Sequence, residues 1–379
     1  MVMTLPRTLI SASTLLLIAT AATISGQGGG VGVRHDGKHL FEKETFGGNG
    51  RTCRTCHSAE TGTVSPKDAA DRLKADANDP LFVHDGSDDG AGNGTSRMLA
   101  NATIRMEIPM RFNVRLADDP TARSVILFRG IPTTLNTPAL DPVLMLDGRQ
   151  PTLQLQAAGA IQQHAQVLVA PKEEDLDRIK QFQLTDAFFS STALRDFARG
   201  GEAPSLPRGR TASERRGRRF FEDLPAGPDG KDGLCSVCHS GPLLNQTNKF
   251  LNDVGVNVPP GSRFQGVLVS ELNKLGNPVR HFIFTNPDGS ETDVFSPDPG
   301  RALITGIAND FGTFDSLNAF KIPILRGVRA TAPYFHDNSA RTLEEVMDHY
   351  EQFFLIVSGG FLALTPQDKA DIVAFMKLL

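Results

Sequence analysis

The chain has 379 residues, and 39 Lys and Arg against 43 Asp and Glu give a formal net charge of −4. That balance excludes a general nucleic-acid binder, whose affinity rests on clustered basic side chains. No stretch beyond residue 30 is apolar for long enough to suggest a multi-spanning membrane protein. As a prior, the length fits two domains. Tryptophan is absent and Tyr334 and Tyr350 are the two tyrosines, so radical chemistry has few side chains to use.

Residues 1–26 carry Arg7, then an apolar run centred on Leu15-Leu16-Leu17-Ile18, then small residues including Ala19-Thr20-Ala21. That order predicts a cleaved secretory signal peptide and a periplasmic, oxidising location for the mature protein. The first cysteine pair follows as Cys53-Arg54-Thr55-Cys56-His57. Residues 74–96 are acidic and Gly-rich and read as a surface loop. Arg199 to Pro207 is turn-forming and poor in apolar residues, which predicts a domain boundary near 203/204. The expected domains are therefore 27–203 and 204–379.

The second half opens with a helix capped by Thr211 or Ser213 and running into Phe220-Phe221. Cys235-Ser236-Val237-Cys238-His239 then uses the last two of the four cysteines. Residues 251–300 read as an irregular excursion with one hairpin around His281-Phe282-Ile283-Phe284. Thr342 and Glu345 have the spacing of a capping box. Thr365-Pro366 begins a closing helix with Ile372, Phe375, Met376 and Leu379 on one face. The fold expected is mainly α: two cytochrome c-like haem domains with long irregular loops and few short strands.

C-x-x-C-H is the attachment signature of c-type haem, with two thiols for the vinyl groups and the histidine beneath the iron. A thioredoxin-like pair needs no histidine there, and zinc pairs are seldom 182 positions apart, as Cys53 and Cys235 are. Disulfides would not require His57 and His239. Two covalent haems are predicted, on Cys53, Cys56, Cys235 and Cys238, with His57 and His239 as proximal iron ligands.

A longer series of residues resembles the bacterial di-haem cytochrome c peroxidase family, including its branch that matures methylamine dehydrogenase. It comprises Asn136, Leu146-Asp147-Gly148-Arg149, Thr152-Leu153-Gln154-Leu155-Gln156-Ala157, Asp298-Pro299-Gly300-Arg301, the run Lys321 to Val328, and Thr331-Ala332-Pro333-Tyr334-Phe335-His336-Asp337-Asn338-Ser339. The resemblance implies a peroxide-reacting haem on His57 and an electron-transfer haem on His239. It implies hydrogen peroxide as substrate and a small donor protein, a cytochrome c or a cupredoxin. A homodimer is common in that family.

The same resemblance assigns further residues. The sixth ligand of the second haem falls on Tyr350, 14 residues after His336, where many relatives have Met. Met347 is the alternative, and His349 is also near. Gln156 matches a distal-pocket glutamine. The family's distal glutamate falls on Gln166, which cannot shuttle a proton, and His164 is the candidate substitute. The family's second ligand for the resting first haem falls on Leu73, with His84 the nearby histidine. Backbone carbonyls of Thr331 and Pro333 are candidates for one calcium ion, although the family's asparagine position reads Gly130-Ile131. Three functions follow: a peroxidase first, then a di-haem enzyme oxidising a protein or organic substrate through a high-valent state, then a non-catalytic electron carrier.

Overall fold

In chain order the helices are α1 (Gly37–Glu42), α2 (Cys53–Cys56), α3 (Pro66–Ala75), α4 (Ser96–Asn101), α5 (Leu153–His164), α6 (Glu173–Thr185), α7 (Thr192–Ala198), α8 (Ala212–Arg218), α9 (Phe250–Asp253), α10 (Val269–Leu272), α11 (Arg301–Thr305), α12 (Leu343–Val357) and α13 (Pro366–Met376). The strands are β1 (Thr103–Pro109), β2 (Val114–Leu116), β3 (Ser124–Gly130), β4 (Phe264–Gln265), β5 (Arg280–Thr285), β6 (Glu291–Ser296) and β7 (Phe320–Lys321). This computed structural model describes residues 36–136, 138, 141, 143–225, 227–253, 255, 258–308 and 317–379. The predicted signal peptide lies outside the described residues. Among them no helix is long and apolar enough to cross a membrane. About half of the described residues are neither helix (35%) nor strand (13%), so irregular backbone is the largest class among them. The 36 glycines and 24 prolines account for much of it.

The two halves repeat one device. Gly37-x-x-Leu40-Phe41-Glu42 and Gly217-x-x-Phe220-Phe221-Glu222 have the same spacing. A Cβ on Gly37 would lie 2.1 Å from the Arg178 carbonyl oxygen on α6, and one on Gly217 would lie 1.9 Å from that of Asp371 on α13. Only glycine permits either helix crossing. Behind each crossing the paired apolar residues are buried, and each stands just before its cysteine motif. Phe41, Phe182 and Phe189 pack edge to face beside the first motif, while Phe221 lies against Phe375 beside the second.

Three small sheets join these parts. β1 pairs antiparallel with β3, with Thr103 opposite Gly130. β5 and β6 form the hairpin expected around His281, and β2 adds to its edge with Val114 opposite Phe284. β4 pairs with β7. One apolar core combines Leu81, Met98, Ile108 and Leu127 with Phe282, Phe284 and Leu303, so it draws on residues from both sides of residue 203. His35–Leu379 form one compact unit.

The acidic stretch 74–96 is not a surface loop throughout. Its Pro80-Leu81-Phe82-Val83 segment carries enough apolar surface to turn inward, and Leu81, Phe82, Asp85 and Ser87 are buried. Only the Gly-rich tip around residues 89–95 is mostly exposed. The Thr342 cap is also half of what its spacing suggests. Thr342 accepts the Glu345 N–H, but the Glu345 carboxylate takes the N–H of Arg341 at 2.6 Å.

Motif residues separated in sequence converge in a buried charge cluster. Arg129, at the end of β3, donates to Asp298 at 2.6 and 2.9 Å and to Asp147. Arg149 donates to Asp147 at 2.8 Å, and Arg301 to the Asp147 carbonyl at 3.1 Å. The Asp-Gly-Arg and Asp-Pro-Gly-Arg segments thus meet on one arginine.

Candidate active site

Both histidines of the cysteine motifs are held alike. The His57 Nδ1 lies 2.8 Å from the Gly62 carbonyl, and the His239 Nδ1 lies 2.9 Å from the Leu244 carbonyl, in each case five residues on. A carbonyl only accepts, so Nδ1 carries the proton and Nε2 keeps its lone pair. Burial pushes both imidazoles down to about 4, which keeps them neutral, the form that binds a metal. No disulfide joins any of the four cysteines. Burial pushes Cys53 and Cys238 up to about 12 and raises Cys56 and Cys235 as well. Thiols so placed lack the lowered pKa of a redox-active pair.

The first motif opens onto a cavity of about 990 Å³, part of it open to solvent. Cys53, Cys56, His57, Gln156, His164 and Lys321 are among the residues of its wall, and most of the remaining wall is apolar. A flat apolar ring with an anionic edge suits such a wall. Lys321 brings a cation to it, paired with the buried Asp141 at 3.1 Å. The residues present therefore fit a covalent haem.

Gln156 and His164 lie a little over two turns apart on α5 and both reach this cavity. His164 is not a loose surface imidazole. Its Nδ1 lies 2.6 Å from Oδ2 of Asp85, and the other Asp85 oxygen accepts from Arg51. Burial would raise the Asp85 carboxyl, but His164 and Arg51 outweigh it and hold the group below the usual carboxylate value. Arg51 also donates to the carbonyls of Pro80, Leu81 and Val83 at 2.6–2.9 Å, which ties the inward turn to the haem motif. Gln166 is exposed just beyond α5, where its side-chain oxygen accepts from Asn49 at 3.1 Å. It is not in the cavity wall, and neither are Leu73 and His84.

At the second motif, Tyr350 and Met347 lie one turn apart on α12, in the apolar cluster that also holds Cys235. Burial and the nearby Cys238 and Cys235 thiols all push the Tyr350 phenol upward. Its ring packs against Phe353 and Phe354 at 5.9 and 5.7 Å. The Nε2 of His349 is engaged by the Val267 carbonyl at 2.6 Å. Thr331 closes the turn Val328–Ala330, its hydroxyl bonding the Val328 carbonyl at 3.0 Å, and Pro333 follows two residues on. Where the resemblance expects an asparagine, Gly130 leaves room for Asn338, whose amide oxygen would be 2.1 Å from a Cβ there. Among the described residues no three His, Cys, Asp or Glu side chains are grouped to hold a metal ion.

Sequence reasoning missed Asp85, Arg51 and Arg129, and it gave Lys321 no role although that residue opens the run Lys321 to Val328. The apolar Leu81-Phe82-Val83 inside an acidic stretch was the available signal for the first two. Nothing local marks Arg129, whose partners Asp147 and Asp298 lie far away in the chain.

No family model matches the chain. It is 27% identical over 222 residues to the cytochrome-c peroxidase IdrP1 of Pseudomonas sp. (strain SCT), covering 55% of this chain and 50% of that protein. It is 25% identical over 264 residues to the cytochrome c551 peroxidase of Nitrosomonas europaea, covering 65% and 64%. A third match, cytochrome-c peroxidase IdrP2 of Denitromonas iodatirespirans, is 29% identical over 40% of this chain and 36% of the relative. The chain thus spans about half the length of these curated relatives. Among solved structures, a MauG-like protein associated with microbial copper homeostasis aligns with a TM-score of 0.48 at 18% identity, covering 90% of this chain and 87% of that one. A variant of the diheme peroxidase BthA from Burkholderia thailandensis E264 aligns with a TM-score of 0.41 at 16% identity, over 90% and 84%. In sequence, the chain is similar to bacterial cytochrome-c peroxidases at 25–29% identity.

Proposed function

We propose that the protein is a periplasmic di-haem c-type peroxidase that reduces hydrogen peroxide to water with electrons from a small cytochrome. The observation that carries this reading is the cavity that gathers the first cysteine motif with Gln156 and the anchored His164. Cys53 and Cys56 would hold one haem with His57 as its proximal ligand, and Cys235 and Cys238 the other with His239. Bound there, the haem iron supplies the redox chemistry. Around it the chain orients the peroxide and moves its proton. The Gln156 amide can donate to one peroxide oxygen, and the free Nε2 of His164 can take a proton from one oxygen and return it to the other.

Tyr350 is proposed as the sixth ligand of the second haem, with Met347 one turn away as the alternative. An anionic phenolate favours ferric iron and lowers the potential relative to a thioether. That feature supports a second reading, an enzyme that oxidises a protein or an organic substrate through a high-valent state.

The test is peroxide-dependent oxidation of a reduced small cytochrome by the holoprotein, with haem content counted from its pyridine haemochrome spectrum. Two haems per chain and turnover are expected. His164→Ala is expected to slow turnover by about 10²–10⁴, the usual range for a lost acid–base group. Unchanged turnover would remove His164 from the mechanism. Gln166→Glu, outside the cavity wall, is expected to change little.

A further inference from the structure

The two oxygens of Asp85 have different partners. One is taken by Arg51 and the other lies 2.6 Å from Nδ1 of His164. Arg51 is buried, as is Asp85, and its remaining donors are spent on the carbonyls of Pro80, Leu81, Val83 and His164. The carboxylate therefore cannot turn away from the imidazole without leaving a buried cation unpaired, which is costly. An ionised carboxylate only accepts, so the proton of a neutral His164 sits on Nδ1. His164 is in the wall of the first cavity, and among the described residues no hydrogen bond engages its Nε2.

We infer that Asp85 is a positioning residue: anchored by Arg51, it fixes the His164 tautomer so that a bare Nε2 serves the peroxide cavity. The inference rests on the peroxidase reading and assigns a residue that the resemblance does not. In the step concerned, Nε2 accepts a proton from one oxygen of hydrogen peroxide, and the imidazolium formed is stabilised by the Asp85 carboxylate. The proton is then returned to the other oxygen, which leaves as water when the O–O bond breaks. Two electrons from the donor protein and two protons from solvent complete the reduction to two waters.

The geometry makes Asp85→Asn a specific probe. Arg51 has only donors, so it must keep the amide oxygen, and the NH₂ group then faces His164. That NH₂ donates to Nδ1 and forces the imidazole proton onto Nε2, where it blocks acceptance. Asp85→Ala leaves the imidazole free to choose either tautomer. Two rates are read in the ferric holoprotein: reaction with hydrogen peroxide, and entry of hydrogen cyanide, a non-reacting weak acid that must also give up its proton. The expected order of both rates is wild type, then Asp85→Ala, then Asp85→Asn, with the last slower than wild type by about 10² or more. Thermal midpoints should run differently, with Asp85→Asn above Asp85→Ala, because the amide still accepts from Arg51. If the rates follow the midpoints, Asp85 is structural and the inference fails.

A reading independent of either variant uses ¹⁵N-histidine NMR of the wild-type protein in its diamagnetic ferrous carbonyl form, with His164 assigned by its loss in His164→Ala. A protonated Nδ1 with a bare Nε2 is expected, and a protonated Nε2 overturns the inference. Failure of the underlying reading looks different: His164→Ala would then leave both rates unchanged, whereas an error about Asp85 alone would spare them only in the Asp85 variants.

Discussion

A neutral imidazole with Nδ1 committed to a carbonyl is prepared to ligate iron through Nε2, and the chain builds that arrangement at both His57 and His239. In the proposed reading, the sixth position of the second haem falls on Tyr350 rather than on a thioether. If Tyr350 ligates, Tyr350→Met should raise the potential of the second haem and shift its ferric low-spin spectrum, which a redox titration followed by absorption and EPR reads directly. An unaltered spectrum and potential would leave Tyr350 as a packed aromatic and pass the role to Met347. At this scale the motifs themselves were legible, because two thiols and a histidine at fixed spacing have few uses. The second partner of each reactive group was not. The resemblance offers His164 as a candidate, but what anchors it is hidden until the turn containing Asp85 folds against it, 79 positions away in the chain.

The elements are positioned by local signals that mostly act as their chemistry suggests. Thr365 and Asp368 cap α13 reciprocally with Pro366 at its first position, and Thr211 and Glu214 do the same for α8. These two helices then cross at Gly217. Gly217→Ala should push α8 off the Asp371 carbonyl and lower stability by about 1–3 kcal/mol, the range for overpacking a tight contact. Urea unfolding of the holoprotein checks it, and an unchanged midpoint would mean that the crossing is looser than its geometry indicates. Gly37→Ala should do the same against Arg178 on α6. Helix starts were legible from Thr, Pro and acidic residues at capping positions. The shared glycine of the two crossings was visible as a repeat only once it was known which residue must touch a backbone. The strands were less legible: β2, β4 and β7 have two or three residues each, and their partners are remote.

Across the whole molecule, the residues that carry the family likeness also join the parts. Arg129 holds Asp147 and Asp298, which belong to different halves of the chain, and all three are buried. Arg129→Met leaves the buried Asp298 without its cation, while Asp147 keeps Arg149, and should cost about 3–5 kcal/mol, the usual penalty for breaking a buried pair from one side. The pH dependence follows from Asp147. Burial alone would raise its carboxyl, but Arg129 and Arg149 hold it below its ordinary value of 3.8. Its contribution to stability is thus complete above that value and is lost as the pH falls through the lowered one. Urea midpoints measured between neutral and acid pH should fall at the acid end, and the fall should be shallower in Asp147→Asn. The paired cysteine motifs were legible in the sequence, whereas this charge cluster was not, because its members are distant in sequence and only the fold makes them neighbours. The most direct test of the di-haem peroxidase reading is an absorption and EPR spectrum of the purified oxidised holoprotein, followed by addition of hydrogen peroxide. A high-spin ferric signal from the first haem that disappears on addition is predicted, and two low-spin signals that ignore peroxide would contradict it.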